Sequence, residues 1–517
     1  LHKLNLLGGY SYSEAISEGF GGGVAGFATD EYLYNNLGAA VREQYIYSYK
    51  NKSNLVSVFG RVNYSYSGKY MLTGTLRNDG SSKFGKNNKW GLFPSASAAW
   101  RVSDESFMKS TSKWLDNLKL RVGYGVTGNQ GGIDPYQSLE RWGISKSSST
   151  GRVLVPRVVV PVKDDDGNII GETVKVQSIQ NANPDLKWES TGQLNVGIDF
   201  QVIKDLSGTL EFYHKNTTDL LYYYTIGSAG SNAYPNTLLN IGSMTNTGVE
   251  LSLTAKILET KDFRWDANIN LSHNKNEVVK ITDTRFQGSN FSAGLIEGLT
   301  GYSQAYVQQI KEGYSIGSFF GVKTCGKDEN GAFLYEKSNP DGTISPTSNP
   351  QDADVVYLGN AMPKLTMGLG TNLTYKNLDL GINFYGMFGQ KVFNATALDL
   401  HETADGGKYN ILKDALTNPQ ATALSDYWLE NASFLRLQSV TLGYTVDLKK
   451  IKMNSLRLYA TVENLFVITK YSGVDPEVSI DMNVTQEDDR DKVFPGIDYY
   501  NNYPKPRTFL LGLNLKF

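Results

Sequence analysis

Apolar and polar residues alternate along most of this chain with a period of two. The clearest stretch is 248–273, where Val249, Leu251, Leu253, Ala255 and Ile257 are interleaved with Glu250, Ser252, Thr254 and Lys256. After Glu259-Thr260-Lys261-Asp262 the pattern returns, with Phe263, Trp265, Ala267, Ile269 and Leu271 set against Arg264, Asp266, Asn268, Asn270 and Ser272. Successive strand side chains point to opposite faces, so each segment has one apolar face and one charged or amide-bearing face. A soluble sandwich alternates in the same way, and a single hairpin does not separate the two cases.

Repetition separates them. About fourteen such segments occur, near 3–12, 53–66, 69–78, 91–102, 117–127, 188–203, 205–215, 245–258, 262–273, 363–375, 378–389, 433–446, 455–463 and 506–517. Most have the roughly 9–11 residues that a tilted strand needs to cross a bilayer. One segment changes phase: Leu435 and Leu437 agree with each other, while Val440, Leu442, Tyr444 and Val446 fall on the other parity. A bulge near Gln438-Ser439 reconciles them. Short connections at 67–69, 204–205, 259–262 and 376–377 alternate with long ones near 13–52, 128–187, 216–244, 274–362, 390–432 and 464–505. That asymmetry is the signature of an outer-membrane barrel, with short periplasmic turns and long outer loops. The exception is 103–116, a longer link on the short-turn side in which a short helix is expected around Glu105–Met108. The predicted fold is therefore all-β, a transmembrane antiparallel up-and-down barrel, with the C-terminus in the periplasm.

Composition narrows the classes further. The 517 residues hold 32 Tyr, 22 Phe and 52 Gly, and the net charge is −2. That charge gives no argument for a nucleic-acid partner. Tyr64, Tyr66, Tyr70, Tyr124, Tyr375 and Tyr444 lie near strand ends, as interfacial aromatic girdles require. No run of about 18 apolar residues exists, so lipid can be reached only by strands. The single cysteine, Cys325, reads as an incidental loop or strand residue. Leu1–Leu7 already alternates like a strand and lacks an initiator Met, a basic region or a cleavage site, so the chain is expected to begin in mid-protein. The last segment sets Phe509, Leu511, Leu513, Leu515 and Phe517 against Leu510, Gly512, Asn514 and Lys516; Gly512, Leu513, Leu515 and the closing Phe517 resemble a barrel-assembly signal.

Catalytic and metal motifs fail residue by residue. Gly80–Lys86 has phosphate-loop spacing, but Asn87 stands where Ser/Thr should hold magnesium and no helix follows. Asp164, Asp166 and Asn168 imitate a calcium loop, yet Ile169 and Lys175 occupy the glycine and bidentate-glutamate positions; a hairpin turn fits better. His2, His214, His273 and His401 have no ligand spacing, and Asp488, Asp489 and Asp491 read as solvated loop charges. No enzyme activity and no cofactor are expected. Binding falls to loop aromatics, Trp142, Tyr302, Tyr306, Tyr499, Tyr500 and Tyr503, which could stack on sugar rings or peptide side chains. Inward charges (Arg61, Arg77, Arg121, Glu250, Arg264, Asp266) are expected to line the lumen or to pair with a plug.

Several runs together resemble the SusC/RagA branch of TonB-linked outer-membrane transporters. They are Arg77–Gly85 with Asn88–Ser95, Leu118–Arg121 with Tyr124–Gln130, Asn183–Glu189, Thr247–Glu250, Asn431–Leu437, and Glu463–Phe466 leading to Tyr471–Glu477. The resemblance implies a plugged barrel of about 22 strands. Residues 1–517 would then be its C-terminal barrel portion, with the plug and roughly eight early strands absent. Such a fragment is expected to form an unclosed wall. The resemblance also implies active import of glycans or peptides, a SusD-like surface lipoprotein as lid, and energy from the TonB complex acting through the absent N-terminal region. The location implied is the outer membrane of a Gram-negative bacterium, with lipid around the wall. Loops 274–362 and 464–505 are the expected lid-facing and substrate-facing surface. A passive porin and a surface adhesin remain the alternatives that the residues themselves allow.

Overall fold

The computed structural model describes residues 1–144, 159–163, 169–174, 176–203, 205–225, 236–281, 290–296, 305–401, 410–417, 423–448, 454–478, 495–499 and 503–516. Fourteen strands form one antiparallel sheet in which sequence neighbours are also spatial neighbours. They are β1 (His2–Ala25), β2 (Arg42–Tyr66), β3 (Tyr70–Ser81), β4 (Trp90–Arg101), β5 (Leu115–Asn129), β6 (Glu189–Val202) and β7 (Leu206–Thr218). The second half is β8 (Ser243–Glu259), β9 (Phe263–Lys280), β10 (Leu365–Tyr375), β11 (Leu378–Phe388), β12 (Phe434–Asp447), β13 (Ser455–Thr469) and β14 (Thr508–Lys516). Each of the fourteen expected segments is one of these strands. Among the described residues β1 pairs only with β2 and β14 only with β13, so the sheet is an unclosed wall.

The register builds the two faces. Leu4, Tyr64, Leu72, Ala98, Val122, Val196, Phe212 and Val249 lie directly opposite one another on consecutive strands. On the other face the row Arg121, Gly197, Glu211, Glu250, Ser272 and Thr366 runs across β5 to β10. The apolar row is open to the surroundings, with Leu4 62% and Leu72 53% exposed. A contiguous apolar band across the sheet far exceeds what a water-soluble monomer exposes, and hydrocarbon is its natural solvent. The phase change in β12 is a bulge: Ser439 pairs with Asn383 and Leu437 with Phe384, leaving Gln438 as the extra residue.

One expected loop is corrected. Residues 13–52 are mostly strand, since β1 continues to Ala25 and β2 begins at Arg42. Beyond Leu55, β2 has lost β3 as a partner, and Glu14–Ala25 pairs with Arg42–Asn54 as a two-stranded ribbon. At about 3.3 Å per residue it projects roughly 40 Å from the wall. Outside hydrocarbon nothing enforces apolar alternation, so the sequence pattern faded while the ladder continued.

The short-turn side carries the expected aromatic belt. The rings of His2 and Tyr66 are 4.8 Å apart, Tyr66 and Tyr70 6.3 Å, Tyr70 and Trp100 6.4 Å, and Trp100 and Phe107 6.4 Å. The link expected to hold a short helix forms 3-10 turns at Val102–Asp104 and Ser106–Thr111. Its Glu105 accepts hydrogen bonds from the Tyr70 hydroxyl at 2.6 Å and Trp100 Nε1 at 3.1 Å, so the wet ends of the belt share one carboxylate. The turn after β2 places Ser67 at φ 53° and Gly68 at φ 71°, the left-handed pair of a tight hairpin.

Face assignment is directly testable. Leu253→Arg, on the apolar face of β8, is expected to cost about 2–4 kcal/mol in urea unfolding of the full-length protein in phospholipid vesicles. Thr254→Arg, one residue away on the polar face, should cost less than about 1 kcal/mol, because water receives the guanidinium there. Equal costs would show that the two faces do not see different solvents.

Candidate functional site: the lumen face and the loop lobes

The polar face is an ion-pair lattice within the wall. Arg121 donates to Asp199 at 2.9 and 2.8 Å and to Glu211 at 2.5 Å, and Lys119 lies 3.4 Å from Asp199. Arg77 donates to Asp79 at 2.7 Å and to Ser57 at 2.7 Å, Arg264 to Asp266 at 2.6 Å, and Arg61 to Thr75 at 3.1 Å. Of the inward charges expected to line the lumen or meet a plug, the four arginines thus have partners inside the wall. Among the described residues Glu250 receives only a long 3.5 Å contact from Ser272, and it sits opposite Glu211. Alternate polar positions on neighbouring strands bring such pairs within reach with no special loop geometry.

Above the wall the long connections build two lobes with cores of their own. In the first, Phe84, Phe93, Ile133, Leu186, Trp188 and Leu238 pack together. Phe84 and Trp188 rings are 4.5 Å apart, and the backbone N–H of Gly85 donates to Leu186 O at 3.3 Å. The phosphate-loop look-alike is therefore a packed turn whose Phe84 is buried. The second lobe joins three connections, with Ile296, Phe319 and Tyr335 from 281–364, Phe393, Leu398 and Trp428 from 389–433, and Ile497 from 470–507. Parallel bridges Val322–Ser425 and Phe393–Ile497 stitch them. Thr324 donates through N–H and hydroxyl to Asp426 at 2.8 Å each, and Gln308 Nε2 donates to Pro495 O at 2.7 Å.

The second lobe is pinned to the wall by buried polar groups. Arg436, at the loop end of β12, is 2.7 Å from Asp475 and 3.6 Å from Glu477, and Glu477 also meets Lys505. Tyr471 is buried and donates to Asp498 at 2.5 Å. Burial and that carboxylate push the phenol pKa far above its ordinary value. Tyr427 donates to Asp414, and burial with this carboxylate raises its pKa to about 12.

The loop aromatics expected to hold substrate are not gathered into one site. Tyr302 and Tyr500 lie outside the described residues, as do Asp164–Asn168, Lys175, Asp488, Asp489, Asp491 and Phe517. Trp142 belongs to the strand Arg141–Ile144. Tyr503 is 88% exposed. Tyr306 is exposed opposite Leu295, whose carbonyl accepts the Tyr499 hydroxyl at 2.6 Å; Tyr499 packs against the lobe core. Gly512 lies under the Tyr459 ring, Leu513 and Leu515 face outward on the edge strand, and Cys325 is exposed on Thr324–Lys327. Sequence reasoning overlooked two cavities on the lumen face of β7 to β13, a polar one lined by Asn268, Asn270, Gly368 and Asn383 and a mainly apolar one lined by Leu251, Leu271 and Tyr385 beside Glu211 and Glu250. The signal was present as asparagines on the polar parity of β9 and β11.

An up-and-down wall with an apolar outer face, a charged inner face and loops on one side defines a barrel-type membrane protein. The chain belongs to the TonB dependent receptor-like, beta-barrel family, whose model matches residues 3–465. It is 34% identical to TonB-dependent receptor P3 of Formosa agariphila, over 100% of this chain and 51% of that one. It is 33% identical to TonB-dependent receptor SusC of Bacteroides thetaiotaomicron, over 94% of this chain and 46% of that one. A solved structure of the RagAB peptide transporter covers 100% of this chain and 53% of its own at 24% identity, with a TM-score of 0.78, and shows the same fold. The chain thus spans about half the length of the curated relatives it matches. The family is one of receptors and transporters rather than enzymes, and membership implies the outer membrane of a Gram-negative cell.

The clamp on the second lobe carries a prediction. Asp475→Asn leaves the buried Arg436 guanidinium short of a counter-charge, a change worth about 3 kcal/mol. In the intact protein, trypsin cleavage after Lys470 is expected to accelerate by about a hundredfold, since it samples local opening. An unchanged rate would show that the loop is held by something else.

Proposed function

We propose that this chain is the C-terminal barrel portion of a TonB-dependent importer that takes up oligomeric nutrients, glycans or peptides. The observation that carries the reading is the wall itself: fourteen strands in sequence order, apolar outside and ionic inside, left unclosed at β1 and β14. Unpaired strand edges are not tolerated in lipid. Further strands therefore complete the barrel in the whole protein, and a plug segment fills its lumen. The half-length match to TonB-dependent receptors supports this. The TonB complex pulls on the plug and supplies the energy, so the protein needs no cofactor.

On this reading the loop lobes face outward, the C-terminus is periplasmic, and β14 with Gly512, Leu513, Leu515 and Phe517 is the segment read by the insertion machinery. A SusD-like lipoprotein closes over the second lobe, and the exposed Tyr306 and Tyr503 are the described loop aromatics that cargo can meet. The 33% identity to TonB-dependent receptor SusC supports this reading. A passive porin would work without energy, which separates the two readings. Uptake of the nutrient by whole cells is expected to vanish when the TonB complex is deleted; uptake that persists at the parental rate would make the barrel a passive pore.

A further inference from the structure

The outer face of β2 to β5 carries a dent in its apolar band. The register sets Val62, Gly74, Ala96 and Tyr124 opposite one another, and two residues nearer the short turns it does the same for Tyr64, Leu72, Ala98 and Val122. Both rows have the parity of the lipid-facing side. Gly74, Ala96 and Ala98 are too short to level that surface, and nothing lies within 4 Å of the position a Gly74 Cβ would take. The larger neighbours stand around them and leave a cavity of about 680 Å³, inside the 300–1,000 Å³ of small-ligand pockets. Strands that complete the barrel join at β1 and β14, so they extend the sheet sideways and leave the outer face of β2 to β5 open.

The dent has a defined height. One same-face step below it lies the aromatic row Tyr66, Tyr70 and Trp100, which continues to Phe107 on the link. At about 3.3 Å per residue the dent spans roughly 7 to 13 Å above that belt along the strands, within the ~15 Å that one leaflet contributes to a ~30 Å hydrocarbon core. One wall is fixed from below, since the Tyr64 hydroxyl and His2 Nδ1 share a hydrogen bond of 2.9 Å. At the foot of the dent the charges fall into two sets. Glu105 is taken up by Tyr70, Trp100 and Lys69, the last at 3.2 Å. Lys109 and Lys113 are exposed, and among the described residues neither ammonium has an ion-pair partner.

We propose that the dent seats an acyl chain of one bound phospholipid of the periplasmic leaflet, whose phosphate lies level with the belt beside Lys109 and Lys113. Apart from the hydroxyls of Tyr64 and Tyr124, the outward side chains of the lining offer no donor or acceptor, so the occupant of the dent is hydrocarbon. A phosphodiester supplies the negative charge that two unpaired ammonium groups take. A second copy of this wall does not fill the dent, because a two-fold contact sets a patch against itself and a concavity facing itself encloses a void. A lipid of the opposite leaflet would have to reach past the bilayer midplane. The site rests on the orientation proposed above and is independent of the cargo.

Native mass spectrometry of the full-length protein, extracted from outer membranes in a mild detergent, tests the seat. Gly74→Leu and Ala96→Leu fill the floor with side chains that hydrocarbon accepts. The double variant Lys109→Gln with Lys113→Gln removes the headgroup contacts and spares the dent. The parent is expected to retain one phospholipid per protomer, and to regain it from phosphatidylethanolamine–phosphatidylglycerol vesicles after delipidation. Each floor variant is expected to lower that occupancy by about tenfold and the lysine variant by about threefold, with heat-modifiable migration on gels unchanged. The proposal is overturned by a parent that binds no phospholipid, or by parental occupancy in the floor variants or in the lysine variant. Retention of lipopolysaccharide in place of phospholipid, or a dimer that the floor variants dissociate, overturns it equally. Whole-cell uptake separates this site from the import reading: variants that lose the lipid and still import leave import standing, whereas energy-independent uptake in the parent discards import and leaves the seat.

Discussion

The structure depends on one constraint: a backbone amide or carbonyl in hydrocarbon must find its partner on a neighbouring strand. Strand order, register and face follow from it. Each of the twelve interior strands is hydrogen-bonded on both sides by its sequence neighbours, which an up-and-down path achieves with turns as short as Lys376-Asn377. Lipid then selects Leu, Val and Tyr on one parity. The other parity is free to carry charge, and it does so in pairs such as Arg121–Asp199 and Arg457–Asp379 that bridge strands and neutralise the lining locally.

Where lipid imposed a period, the sequence could be read. Every wall strand was visible from alternation, and the bulge at Gln438 betrayed itself as a change of parity within β12. Where lipid was absent, the period was lost. The ribbon of β1 and β2 beyond Leu55 has glycines and polar residues on both faces, so its ladder leaves no two-residue apolar period in the sequence. The lobe cores were equally hidden, because Ile296, Phe393 and Ile497 meet only in three dimensions. Among loop aromatics, residue type alone does not separate a binding ring from a packing one. Tyr499 shows this, since its hydroxyl is occupied by Leu295 O and its ring packs against a core.

The runs that carry the resemblance turn out to touch one another. Gly85 and Phe84 from one run meet Leu186 and Trp188 from another in the first lobe. Arg436, from Asn431–Leu437, meets Asp475 and Glu477 from Tyr471–Glu477 in the second. Glu463 and Asn464 belong to the bulged level of β13. What looks like scattered similarity along the sequence is a small number of spatial joints, each fastening a loop to the strand end from which it rises.

The second lobe draws on segments far apart along the chain: Gln308 and Pro495 are 187 positions apart, and Leu295 and Tyr499 are 204. Contacts at such separation form last in folding, because the intervening polymer must be ordered before they reward it. The crown above the wall can therefore mature only once β9 to β13 are in place and the segment leading into β14 has arrived. A barrel interrupted during insertion would present its outer surface as loose, protease-accessible chain. The finished crown serves as a structural record that the last staves were laid.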